Sequence, residues 1–139
     1  TDGKKRIWVH CSSLGEFEQG RPLIEKIKSE YPEISIILTF FSPSGYKIRK
    51  NYEFVDLVEY MPLDTKKNAQ NFIKIVKPDA AIFIKYEYWF NHLNELNKNN
   101  EYQVILYKNK VYYGGEDITD RVIKLLDQKY SEADENESE

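Results

Sequence analysis

The chain has 139 residues, 41% of them hydrophobic and 31% charged, and a formal net charge of −3. That suits one globular domain with a real core and is small for a two-domain enzyme. No apolar run is long enough for a membrane span, no secretory leader is expected before the first strand, one cysteine excludes an internal disulfide or a cysteine-built zinc site, and the charge argues against non-specific nucleic-acid binding.

A strand–helix alternation repeats four times. The first strand is expected at Arg6–Cys11, followed by a turn of small residues (Ser12, Ser13, Gly15) and a helix over Gly15–Glu30. Tyr31-Pro32-Glu33 stops that helix, because proline cannot continue it. Ile34–Phe41 is nearly all apolar or β-branched, as a strand covered on both faces requires. Ser42-Pro43-Ser44-Gly45 turns into a short basic helix, Tyr46–Tyr52, and Val55–Tyr60 reads as the third strand. Asp64 is the expected N-cap of a helix over Thr65–Val76. Ala80–Ile84 is the fourth strand, and a helix over Tyr88–Asn97 follows it. Such alternation predicts an α/β fold, a Rossmann-like parallel sheet flanked by helices. Its strand-end turns then share one edge, which gathers Ser12, Ser13, Gly15, Glu16, Ser42, Ser44, Gly45, Asp64, Lys85 and Glu87.

After Asn97 the pattern changes. Tyr102–Tyr107 and Val111–Tyr113 read as a β-hairpin about Lys108-Asn109-Lys110, with a C-terminal helix from Asp117 to about Tyr130. Residues 1–100 carry fifteen Lys/Arg and thirteen Asp/Glu, a balance of +2, whereas 101–139 carry five and ten, a balance of −5. The organisation predicted is therefore a Rossmann-like unit over 1–100, a hairpin-plus-helix segment over 101–130 and a disordered acidic tail over 131–139.

Glu16 falls in a first helical turn beside a strand end, where a carboxylate serves either as a general base or as an ordinary helix-start acid. Ser42-Pro43-Ser44-Gly45 could meet a phosphate with hydroxyls and free N–H groups, with Lys47 and Arg49 nearby, although it is neither a P-loop nor a GxGxxG turn. His10 reads as a hydrogen-bonded strand histidine and His92 as an exposed helix residue. No His/Asp/Glu grouping has metal-ligand spacing, so no metal is expected.

Taken together, Trp8-Val9-His10-Cys11-Ser12-Ser13-Leu14-Gly15-Glu16, Arg21-Pro22-Leu23-Ile24, Leu38–Gly45, Tyr60-Met61-Pro62-Leu63-Asp64 and Tyr86-Glu87-Tyr88-Trp89 resemble the N-terminal domain of 3-deoxy-D-manno-octulosonic acid (Kdo) transferases. The resemblance covers residues 5–97. It implies the acceptor-side half of a GT-B glycosyltransferase that moves Kdo from CMP-Kdo to a lipid A precursor in lipopolysaccharide biosynthesis. It further implies inversion of the anomeric centre without a metal or other cofactor, at the cytoplasmic face of the inner membrane. Glu16 would be the base. Relatives carry an acid-x-acid pair after the fourth strand, and here those positions are Lys85 and Glu87, so both are candidates to assist the transition state. Ser13, Gly15, Ser42, Ser44, Gly45, Lys47 and Arg49 would meet the acceptor.

The donor site belongs to the family's C-terminal domain, so the expectation is a truncated transferase, inactive alone, that binds the lipid A precursor and associates with a membrane surface. Residues 102–127 resemble, more weakly, the end of OmpH/Skp-type periplasmic chaperones. The alternative reading is a non-catalytic Rossmann-like module or a chaperone-related fusion fragment.

Overall fold

A computed structural model describes residues 3–84 and 89–98, the backbone of 105–108, and Lys124, Asp127 and Gln128, which are helical. In chain order the elements are β1 (Arg6–Cys11), α1 (Leu14–Glu30), β2 (Ser35–Phe40), α2 (Pro43–Arg49), β3 (Leu57–Tyr60), α3 (Lys66–Val76), β4 (Ala80–Ile84), α4 (Phe90–Lys98) and β5 (Ile105–Lys108). The strands form one sheet in the order β3-β2-β1-β4-β5, and every pairing is parallel. The α/β Rossmann-like expectation holds.

Period-two alternation divides the sheet between two cores. Ile7, Val9 and Cys11 of β1, with Ile36, Leu38 and Phe40 of β2, pack under Phe17, Ile24 and Ile27 of α1. Trp8 joins Ala81 and Phe83 of β4 in a second cluster with Ile73, Trp89 and Leu96, on the α3–α4 side. Both faces are thus covered, which is why β2 and β4 read as continuous apolar runs.

Two sequence expectations change. Asp64 does not cap α3: Thr65 does, its hydroxyl accepting from the Asn68 N–H at 3.2 Å. Asp64 instead caps α4, its carboxylate accepting the N–H groups of Asn91 and His92, each at 3.1 Å. His92 is not exposed but fully buried, with Nδ1 at 2.7 Å from Asp64 Oδ1. Helical period alone did not show which face of α4 meets the sheet. Ile105–Lys108 lies parallel to β4, outermost among the described strands on that side, in register Ala81 with Ile105 through Ile84 with Lys108. The βα rhythm therefore continues through it. The expected return arm, Val111–Tyr113, falls outside the described residues.

Candidate functional site

The strand order turns back on itself at β1, which has β2 on one side and β4 on the other. In open parallel sheets the crevice beyond the strand ends at such a point is where ligands bind. The β1–α1 turn, with Ser12, Ser13, Gly15 and Glu16, occupies it.

The local sequence explains the turn. Ser13-Leu14-Gly15-Glu16 has the S-x-x-E spacing of a capping box. Ser13 is the N-cap, extended at φ −134° and ψ 168°, and its hydroxyl accepts from the Glu16 N–H at 3.3 Å. The Glu16 carboxylate reaches one residue further back than a capping box does, and Oε2 accepts from the Ser12 N–H at 2.7 Å. Glu16 is 8% exposed. Burial pushes the Cys11 thiol well up, and the nearby Glu16 carboxylate adds to the effect. Cys11 is therefore a buried, unreactive thiol and no nucleophile.

Ser12 also carries the next turn, its carbonyl accepting from the Ser42 N–H at 2.7 Å. The starts of α1 and α2 are thereby tied together. Ser42 caps α2, and the Ser42 and Ser44 hydroxyls lie 2.9 Å apart. Gly45 is buried, because α2 rides directly on the Phe40 ring: a Cβ there would stand 2.2 Å from Phe40 Cδ1. Gly15, by contrast, is exposed, and a Cβ there would meet only Ser13 Oγ at 4.0 Å. The fold gives no reason for glycine at position 15. Lys47 is exposed on α2. Arg49 is committed elsewhere, with Nη2 at 2.5 Å from Glu18 Oε1 and its guanidinium 5.0 Å over the Phe17 ring. The structure therefore gathers Ser13, Gly15, Glu16, Ser42, Ser44 and Gly45 at two adjoining helix starts. Arg49 is turned to the seam between α1 and α2. Lys85 and Glu87 lie outside the described residues.

His10 is the hydrogen-bonded strand histidine that the sequence predicts; what sequence reasoning missed is the polar column it joins beneath the turn. Trp8 and His10 of β1 and Ser12 just beyond its end follow one another at period two, and Thr39 is the β2 partner of His10. Trp8 Nε1 donates to Thr39 Oγ1 at 2.8 Å, His10 Nδ1 stands 2.8 Å from the same oxygen, and His10 Nε2 stands 3.0 Å from Ser12 Oγ. The alternation of polar residues inside an otherwise apolar strand was the available signal.

Around the rim, Phe41, Leu63 and Phe90 are 48%, 65% and 71% exposed. Trp89 packs edge-on against Phe41 at 5.3 Å. No group of three or more His, Cys, Asp or Glu residues suited to a metal ion occurs among the described residues. No helix among them is long and apolar enough to cross a membrane.

Residues 1–108 match the family model described as 3-deoxy-D-manno-octulosonic-acid transferase. The chain belongs to the Kdo transferase family. Within that Kdo transferase family, the enzyme of Aquifex aeolicus is 33% identical over 87 residues, which are 62% of this chain and 24% of that protein. The Haemophilus influenzae enzyme is 34% identical over 96 residues, 68% of this chain and 22% of its own length. A bifunctional glycosyltransferase/methyltransferase of Fusobacterium nucleatum is 29% identical over 103 residues, 72% of this chain and 16% of that protein. The chain thus aligns with about a quarter or less of these relatives. Among solved structures, RSP in complex with beta-NADH aligns with 98% of this chain and 64% of its own at 12% identity, with a TM-score of 0.39. That likeness is too low to bear on function.

Proposed function

We propose that this chain is the acceptor-side half of a Kdo transferase and that Glu16 is its general base. The observation that carries the reading is the placement of Glu16 at the point where the strand order reverses, with Oε2 held by the Ser12 N–H. In the reaction, a sugar hydroxyl of a lipid A precursor gives its proton to the carboxylate. Its oxygen then bonds to the anomeric carbon of Kdo while the bond from that carbon to the CMP phosphate breaks, inverting the centre. Glu16 would accept the proton on Oε1, since Oε2 is engaged.

Ser13, Gly15, Ser42, Ser44, Gly45 and Lys47 would meet the phosphates and sugar of the acceptor. The start of α1, with α2 beginning beside it, would favour an anion through the helix dipole and the N–H groups of its first turn. The exposed Phe41, Leu63 and Phe90 would face acyl chains or the inner-membrane surface, on its cytoplasmic side. Lys85 or Glu87 would assist the transition state. The donor, CMP-Kdo, would bind a second GT-B domain, and no further cofactor is needed. An acceptor-side half without its donor domain should not turn over, because the two substrates would not be brought together.

Two measurements test this. Titrating a tetra-acylated lipid A precursor into the chain should show binding that weakens several-fold in Ser42→Ala and Lys47→Ala. Arg49→Ala is the poorer probe, since it breaks the Glu18 ion pair as well. Second, residues 1–108 can replace the matching part of the Haemophilus influenzae enzyme. Glu16→Gln in that chimera should cut transfer on the order of 10²–10⁴-fold, the usual worth of a general base, while acceptor binding persists. A second reading has its own support: Glu16 serves as a helix-start acid whatever else it does. A chimera in which Glu16→Gln keeps full transfer would leave a non-catalytic Rossmann-like module as the better description.

A further inference from the structure

We infer that His10 is a positioning residue for Glu16, fixed in one tautomer by Thr39 and acting through Ser12. The inference rests on the reading of Glu16 as the base.

The argument is one of proton counting. Trp8 Nε1–H can only donate, so Thr39 Oγ1 accepts from it. Thr39 is fully buried, and its side-chain hydrogen bonds run to Trp8 and His10. A buried hydroxyl hydrogen left without an acceptor is costly. The Thr39 hydroxyl therefore donates to His10 Nδ1, which must be unprotonated, so the proton sits on Nε2. His10 Nε2–H then donates to Ser12 Oγ, and polarity runs in one direction from the core to the rim. His10 is itself 1% exposed and packs edge-on against Trp89 at 5.0 Å and tilted against Phe83 at 5.8 Å. Its ring has no room to swing.

Ser12 is consequently held from three sides: at its hydroxyl by His10, at its carbonyl by the Ser42 N–H and at its own N–H by Glu16. That third contact sets which way the Glu16 carboxylate faces. Removing the His10 bond frees the side of Ser12 that aims its N–H.

Nuclear magnetic resonance on the whole chain tests this without any transfer assay. The ring nitrogens of His10 should show a proton on Nε2 and none on Nδ1. Exchange of the Ser12 amide, corrected for sequence, should speed about five- to tenfold in Ser12→Ala, the loss expected for one hydrogen bond. His10→Phe should do the same, and His10→Gln, whose amide can still donate to Ser12, should recover most of the protection. A proton on Nδ1 overturns the inference. So does unchanged Ser12 exchange in Ser12→Ala, a variant that keeps the backbone and the core intact. Because the readout is the Ser12–Glu16 bond, such a failure leaves the base reading standing, while failure of the base reading shows only in the chimera.

Discussion

Glycine has opposite meanings at positions 15 and 45. At 45 the missing Cβ is what lets α2 lie on Phe40, so Gly45→Ala must displace a buried ring. We expect it to cost roughly 1–3 kcal/mol, as overpacking does, measured by denaturant unfolding. At 15 the fold has space, and alanine is the better helix former. Gly15→Ala should leave stability unchanged or raise it by up to about 1 kcal/mol, yet weaken acceptor binding if a ligand approaches that backbone. Destabilisation at 15 would show that the glycine is structural after all. Sequence alone could not separate the two, because each glycine simply follows a serine-rich turn. What separates them is whether a side chain from another strand occupies the space.

The start of α4 is held by an acid from a distant loop, in addition to the apolar packing of Trp89 and Leu96. Asp64 takes two N–H groups at the start of the helix and the His92 ring. Burial alone would raise the Asp64 carboxyl, but the bonds from His92 and from the backbone outweigh it and hold the group below its ordinary 3.8. Burial lowers His92 below its ordinary 6.5, and Asp64 opposes this without reversing it. Both shifts have one sign. The unfolded chain binds these protons more readily, so stability is full above pH 6.5 and falls as acid protonates the unfolded histidine and, further down, both forms of the aspartate. Denaturation midpoints should therefore drop between pH 6.5 and 5, and His92→Gln should flatten that part of the curve. Asp64→Ala should cost about 1–2 kcal/mol or more, the range for losing a helix cap. A pH-independent midpoint would mean that His92 is not buried in its neutral form. The motif residues Tyr60–Asp64 were visible in the sequence, but their use was misassigned: an acid followed by a helix signals a cap for that helix, and nothing local reveals a second helix start beside it.

At the scale of the whole molecule, β3 and β5 are the outermost described strands of the parallel sheet. Truncation after Lys98 would leave the β4 edge, Ala81–Ile84, unpaired. Such an edge invites pairing between chains. The truncated chain should melt lower and associate with rising concentration in size-exclusion chromatography; an unchanged melting point and a monomer would count against β5 as part of the sheet. The strand–helix alternation, the buried runs of β2 and β4 and the capping-box spacing at Glu16 were all decided by sequence, since period, β-branching and cap chemistry are local properties. Tertiary structure decided the rest. It chose which strand lies beside which, put Thr39 across from His10, set Asp64 at the start of α4 and turned Arg49 to Glu18. Each of these joins residues far apart along the chain, and only packing selects such partners.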